Sequence, residues 1–114
     1  MKIDLRKEIL NRDGEKVTAK MAVPSVKELD NGEVIEEKTY KTVILTLGNA
    51  LRDAVLQQTY NLPLDEKMAR YNLFLKIEKD GIVDLTDEEI AELKELVATR
   101  YEILFCGQIV NMLK

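Results

Sequence analysis

The hydrophobic period of the sequence changes within residues 40–55, which read YKTVILTLGNALRDAV. The first six of these residues are rich in the β-branched and aromatic side chains that strands favour. Thr46 can cap a helix, and the apolar residues that follow it at helical spacing are Leu47, Ala50, Leu51 and Ala54. The pattern therefore predicts strands before residue 46 and helices after it, which is an α+β fold.

Residues 1–45 show the alternation of apolar and polar side chains that is typical of strands. Ile3, Leu5 and Ile9 would share one face of a first strand. Turns are expected at NRDG (11–14) and DNG (30–32), because glycine accepts a positive φ. Pro24 should end the second strand, since it cannot donate a ladder hydrogen bond. We predict a three-stranded antiparallel β-meander with one face that needs cover.

Residues 46–114 are expected to form three or four packed helices, and residues 1–114 a single domain. The clearest helix start is Thr86, because Thr86 and Glu89 have the spacing of a capping box. A second helix from about Asp65 to Lys79 is expected to turn its larger apolar side chains inward. These are Met68, Tyr71, Phe74, Leu75 and Ile77. A last helix is expected to begin near Tyr101.

The composition excludes much of enzyme chemistry. The 114 residues include no histidine, one cysteine (Cys106) and one serine (Ser25). Most general bases, nucleophiles and metal sites use these residue types, so we expect a non-enzyme without cofactor or metal. The net charge is −4, and no basic patch with interleaved aromatics appears, which disfavours direct nucleic-acid binding. The apolar runs are too short to span a membrane.

Two features are candidates for protein contact. Glu88, Glu92 and Glu95 should lie on the solvent side of the third helix. They form either an acidic surface that imitates nucleic-acid phosphates or an ordinary solvated face. A carboxylate-based enzyme remains a remote alternative, because it needs one acid buried in a cleft. Tyr60 lies in a connector, and tyrosine joins apolar area to a polar tip at interfaces.

Two further patterns favour structural interpretations. Residues 76–87 resemble a calcium loop with Gly81 at the sixth position, but Lys76 occupies the first position, where an acidic ligand is needed. We interpret this segment as a linker between helices. Cys106 lies among apolar residues and is interpreted as a core side chain, as are Tyr71 and Tyr101.

Several motifs between residues 42 and 113 resemble those of small uncharacterised proteins of tailed bacteriophages and prophages. The matching motifs are TLGNAL (46–51), EK (66–67), RYNL (70–73), VDLTDEEI (83–90), LKELV (93–97), GQ (107–108) and ML (112–113). The resemblance implies a phage-encoded accessory or virion-associated protein with no known chemistry. It transfers no functional residues. The single cysteine allows no internal disulfide, which suits the reducing cytoplasm of a bacterial host, and the resemblance adds the virion as an alternative place.

The function expected from the sequence is that of a non-catalytic protein-interaction module, encoded by a phage or prophage. It would act in particle assembly or by binding a host protein. The alternative is an inhibitor of a host nucleic-acid-handling or defence system that uses an acidic surface. The partner is expected to be a second copy of the chain or another phage or host protein. A homo-oligomer through the N-terminal strands is expected, because a meander leaves two edges unpaired.

Overall fold

The computed structural model describes residues 1–57 and 61–114, with the backbone alone at 21–27 and 36–38. The elements in chain order are β1 (Lys2–Asp4), β2 (Thr18–Glu28), β3 (Val34–Ile44), α1 (Leu47–Val55), α2 (Leu64–Ile77), β4 (Ile82–Asp84), α3 (Asp87–Arg100) and α4 (Ile103–Met112). The strands make two separate two-stranded antiparallel sheets, β1 with β4 and β2 with β3. The predicted α+β fold is confirmed. No helix of the described ranges is long and apolar enough to cross a membrane.

The predicted three-stranded meander is wrong, because the first strand has a different partner. β1 pairs with β4 and sets Ile3 opposite Val83. The pairing continues past the strand end, where the Leu5 N–H donates to the Gly81 carbonyl at 2.8 Å. The N-terminal strand is therefore held by the chain between α2 and α3. Residues 1–45 do not form one sheet.

The first predicted turn forms but does not begin a long hairpin. Gly14 has a φ of 76°, as the NRDG sequence requires. The chain on either side is joined by a single antiparallel bridge between Leu10 and Lys16. The alternation in residues 3–9 marks a buried face correctly, but alternation says nothing about which strand lies alongside.

β2 and β3 form a long ribbon, and hydrogen bonds at its two ends define which backbone groups point inward. At one end the Leu45 N–H donates to the Val17 carbonyl, and at the other the Leu29 N–H donates to the Glu33 carbonyl, both at 2.7 Å. Antiparallel pairs alternate between bonded and non-bonded, and the register between these ends is continuous. Odd-numbered residues of both strands therefore bond across the ribbon, and even-numbered residues direct their N–H and C=O outward.

Pro24 does not end β2, which continues to Glu28. The physical reason is its even register position opposite Lys38. The N–H that proline lacks would have pointed away from β3, so the inner ladder loses no hydrogen bond. The second predicted turn closes the ribbon, with Gly32 at a φ of 84°.

The core is built around α1, which contacts α2, α3 and α4. The apolar positions that the sequence assigned to this helix are all fully buried, namely Leu47, Ala50, Leu51 and Ala54. The helix begins at its predicted cap, because the Thr46 hydroxyl accepts the Asn49 N–H at 3.2 Å. Val17 and Ala19, at the base of the ribbon, pack against this core.

The capping box of α3 is confirmed. The Thr86 hydroxyl accepts the Glu89 N–H at 3.2 Å, and the Glu89 carboxylate accepts the Thr86 N–H at 2.9 Å. Lys76 binds the same carboxylate oxygen at 2.9 Å. Partial burial opposes ionisation of Glu89, but the hydrogen bonds from Thr86 and Lys76 outweigh it and lower the pKa of this carboxyl. Its stabilising contribution is therefore present at neutral pH and is lost as the pH falls through the folded-state pKa.

We expect Thr86→Ala to lower the free energy of unfolding by about 0.5–2 kcal/mol, because one N-terminal amide of α3 loses its acceptor. Urea denaturation of the two forms at pH 7 measures the difference. Glu88→Gln, at an exposed position of the same turn, is the matched control and should change stability by no more than about 0.5 kcal/mol. Equal midpoints for wild type and Thr86→Ala would contradict the role of this cap.

Candidate functional site

One face of the ribbon exposes three apolar side chains of β3, with glutamate, lysine and threonine at the positions between them. Val34, Tyr40 and Ile44 occupy even register positions and therefore share a face. Val34 is 63% exposed and Tyr40 is 68% exposed. Among the side chains that the structure describes, the ribbon packs against the core through Val17 and Ala19 at its base. Its described outer part thus offers apolar surface rather than a closed pocket.

The ribbon also has two open edges. Over the described residues it is a sheet of two strands, so neither β2 nor β3 has a second neighbouring strand. Each strand has 11 residues, which corresponds to a length of about 36 Å. The chain measures 50 × 35 × 26 Å along its principal axes, and a ribbon of this length accounts for the elongation.

The predicted inward face of α2 is correct for Phe74 and Ile77 and wrong for the other three residues. Leu73 and Ile77 are buried, but Met68, Tyr71 and Leu75 are all exposed, and Leu64 is 76% exposed. These four exposed residues, 64, 68, 71 and 75, follow the spacing of one helix face and form what we call the α2 stripe. Helix α2 therefore has two apolar faces, one towards the core and one towards solvent.

The predicted acidic residues lie together in an open groove between α2 and α3. Glu88, Glu92 and Glu95 line it from α3, and Glu66 and Arg70 line it from α2. The groove has a volume of about 540 Å³. Sequence analysis missed Glu66 and Arg70, because only the packing of α2 beside α3 brings them to this site. Carboxylates so placed can accept charge-assisted hydrogen bonds from lysine or arginine side chains.

The other sequence candidates fall in different places. Tyr60 lies outside the described residues. Cys106 is half-buried and packs against the core, in agreement with its predicted structural role. Asp80, which a calcium loop would use at its fifth position, instead binds Arg52 at 2.8 Å. The structure therefore places Asp80 in a contact between α1 and the segment that follows α2.

A second cleft, of about 380 Å³, lies between the ribbon base and the helices. The Tyr101 hydroxyl there donates to the Asp53 carboxylate at 2.9 Å, and Arg100 binds the same oxygen at 2.9 Å. Burial, reinforced by the Asp53 charge, raises the pKa of Tyr101 well above its usual range. The hydroxyl therefore stays protonated at neutral pH and serves as a donor that ties the end of α3 to α1.

Comparisons with known proteins gave no match: no family model, no curated protein and no solved structure is similar to this chain.

The two faces of α2 predict opposite responses to the same substitution. Leu73→Ala should destabilise the fold by about 2–5 kcal/mol, because it opens a cavity in the core. Leu75→Ala, two residues along the helix at an exposed position, should cost less than about 1 kcal/mol. Urea denaturation of both variants measures the contrast. A larger loss of stability for Leu75→Ala than for Leu73→Ala would show that Leu75 faces the core and would contradict this arrangement.

Proposed function

We propose that this chain is a non-catalytic protein-interaction module, encoded by a phage or prophage, which acts in particle assembly or by binding a host protein. The phage origin is proposed from the resemblance that the sequence motifs of residues 42–113 suggest. The contact function is supported by the surfaces of the structure. The surfaces described above are open and apolar or acidic, which suits contact with a macromolecule.

The strongest structural support for this proposal comes from the ribbon of β2 and β3. A two-stranded ribbon by itself is marginally stable in water, and its open edges accept further strands. Here both edges lack a neighbouring strand among the described residues, and Val34, Tyr40 and Ile44 leave apolar area uncovered on one face. Strand addition by a protein partner would satisfy the backbone groups of that edge, and side chains of the added strand would pack beside the apolar residues of β3.

The partner that the ribbon fits best is a second copy of the chain. Residues 1–45 carry nine basic and nine acidic side chains. Two such regions therefore do not repel each other by net charge. An oligomer formed through the N-terminal strands would pair the open edges of both copies and set apolar side chains of the two copies side by side in one step.

Thr42→Pro and Thr18→Pro test this association edge by edge. Both threonines are at even register positions, so proline there removes an outward N–H and leaves the inner ladder intact. Light scattering at micromolar concentration should show an oligomer for wild type and a monomer for the variant whose edge is used. Circular dichroism and urea midpoints control for folding.

A monomeric wild type, or an oligomer that survives both prolines, would contradict strand-mediated association. The second result would move the interface to the α2 stripe and the connector that contains Tyr60.

The acidic groove favours a second candidate function, an inhibitor that occupies a basic site on a host nucleic-acid-handling or defence protein. Four glutamates line this groove, at positions 66, 88, 92 and 95. Such mimicry depends on charge and is screened by salt, whereas an apolar interface is not.

Capture from a bacterial lysate followed by mass spectrometry tests the acidic alternative. It predicts enrichment of nucleic-acid-binding proteins that is lost at high salt. The triple variant Glu88→Gln, Glu92→Gln and Glu95→Gln keeps the shape of the groove and should lose the same proteins. Capture that is equal for wild type and the triple variant, or independent of salt, would exclude this function.

A further inference from the structure

The outer edge of β3 presents a regular set of backbone groups that no other strand of the described residues pairs with, although the Ile44 carbonyl also accepts the Asn49 side-chain amide at 2.9 Å. Hydrogen bonds at both ends of the ribbon set the alternation, so the even positions from 34 to 44 direct their N–H and C=O away from β2. β3 contains neither proline nor glycine. β2 is a poorer template, because Pro24 lies at an outward position and has no N–H to donate.

The sequence of β3 is self-complementary when reversed. Residues 34–44 read VIEEKTYKTVI. Turned about Thr39, the strand sets Val34 against Ile44 and Ile35 against Val43. Both ends are therefore apolar and would meet apolar partners, and Thr39 lies at the centre.

We propose that β3 pairs antiparallel with β3 of a second copy, about a two-fold axis at Thr39, to give a four-stranded sheet. The order of strands is β2, β3, then β3 and β2 of the partner copy. This inference rests on the proposed function, because it specifies how the N-terminal strands associate. The proposed register specifies which residue of β3 faces which residue of the second copy.

The alternation along the edge agrees with this register. In this register the numbers of two paired residues add to 78. Every even-numbered residue of one copy therefore faces an even-numbered residue of the other, and outward N–H groups meet outward carbonyls. A shift by one residue would set outward positions against inward ones. A shift by two would set Ile44 opposite position 36 or beyond the end of the partner strand, and the apolar pairs would be lost.

The charged and apolar side chains of β3 favour the antiparallel arrangement over an in-register parallel one. Parallel pairing would set Lys41 directly beside Lys41 of the second copy, and like charges opposite each other destabilise a sheet. The antiparallel register sets Lys41 opposite position 37, which is a glutamate in the sequence. It also brings Val34 and Ile44, which lie on the exposed face, side by side across the new strand pair.

Disulfide trapping tests the register. In a Cys106→Ser background, Thr39→Cys places one thiol at a non-hydrogen-bonded pair on the two-fold axis, where the Cα atoms would lie about 4.5 Å apart. This separation is within the range that a disulfide bridges. Thr42→Cys is the matched control, because its two copies would lie six residues apart along the sheet, roughly 20 Å.

Mild oxidation followed by non-reducing electrophoresis should give a covalent dimer as the main species for Thr39→Cys and little for Thr42→Cys. Light scattering of the reduced Thr39→Cys protein should give the wild-type mass. Cross-linking of Thr42→Cys to the same extent, or none for Thr39→Cys, would overturn this register.

The register of the β3 pair and the association through the N-terminal strands are refuted by different results. An oligomer that Thr42→Pro or Thr18→Pro disrupts, but that Thr39→Cys does not trap, refutes the register and leaves the proposed function standing. A monomeric wild type refutes the register and self-association through the ribbon, but not binding to another phage or host protein.

Discussion

The first turn of α1 is the joint on which the rest of the structure depends. The leading N–H groups of a helix have no partner within the helix, so a buried helix end needs acceptors from elsewhere. Here the Leu47 N–H donates to the Lys7 carbonyl at 2.7 Å, and the Gly48 N–H donates to the Leu5 carbonyl at 2.8 Å. A side chain at position 48 would bring its Cβ to 3.0 Å from that same Leu5 oxygen. Glycine therefore permits the close approach that joins the N-terminal segment to the central helix.

This joint also determines where the ribbon is attached. Leu45 immediately precedes the cap of α1, and its N–H donates to Val17 while its carbonyl accepts from Ile9. The ribbon is thereby held at its base by a buried residue, with the N-terminal segment on one side and β2 on the other. Beyond this base, β2 and β3 pair only with each other among the described residues, so each has an open edge. Helix α2 likewise buries Leu73 and Ile77 in the core and leaves the α2 stripe exposed to solvent.

Together, these features support the proposed role in binding other proteins. The ribbon offers backbone groups and apolar side chains, the α2 stripe offers apolar side chains alone, and the groove between α2 and α3 offers carboxylates. The three surfaces differ in chemistry, so each responds to a different perturbation: proline on an edge, truncation on a helix face, and charge removal or salt in the groove. The proposed antiparallel pairing of β3 would use the first of them.

The sequence by itself determined the local features. The caps at Thr46 and Thr86, the turns at Gly14 and Gly32, and the change of hydrophobic period were all predictable, because each depends on residues within about four positions. Only the tertiary structure decided the rest. Alternation identifies a buried face but not a partner strand, so β1 was assigned to the wrong sheet. Apolar residues cover two sides of α2, so spacing alone could not show which side meets the core. Whether Pro24 ends a strand depends on which way its missing N–H points, and that direction is set by the pairing of β2 with β3.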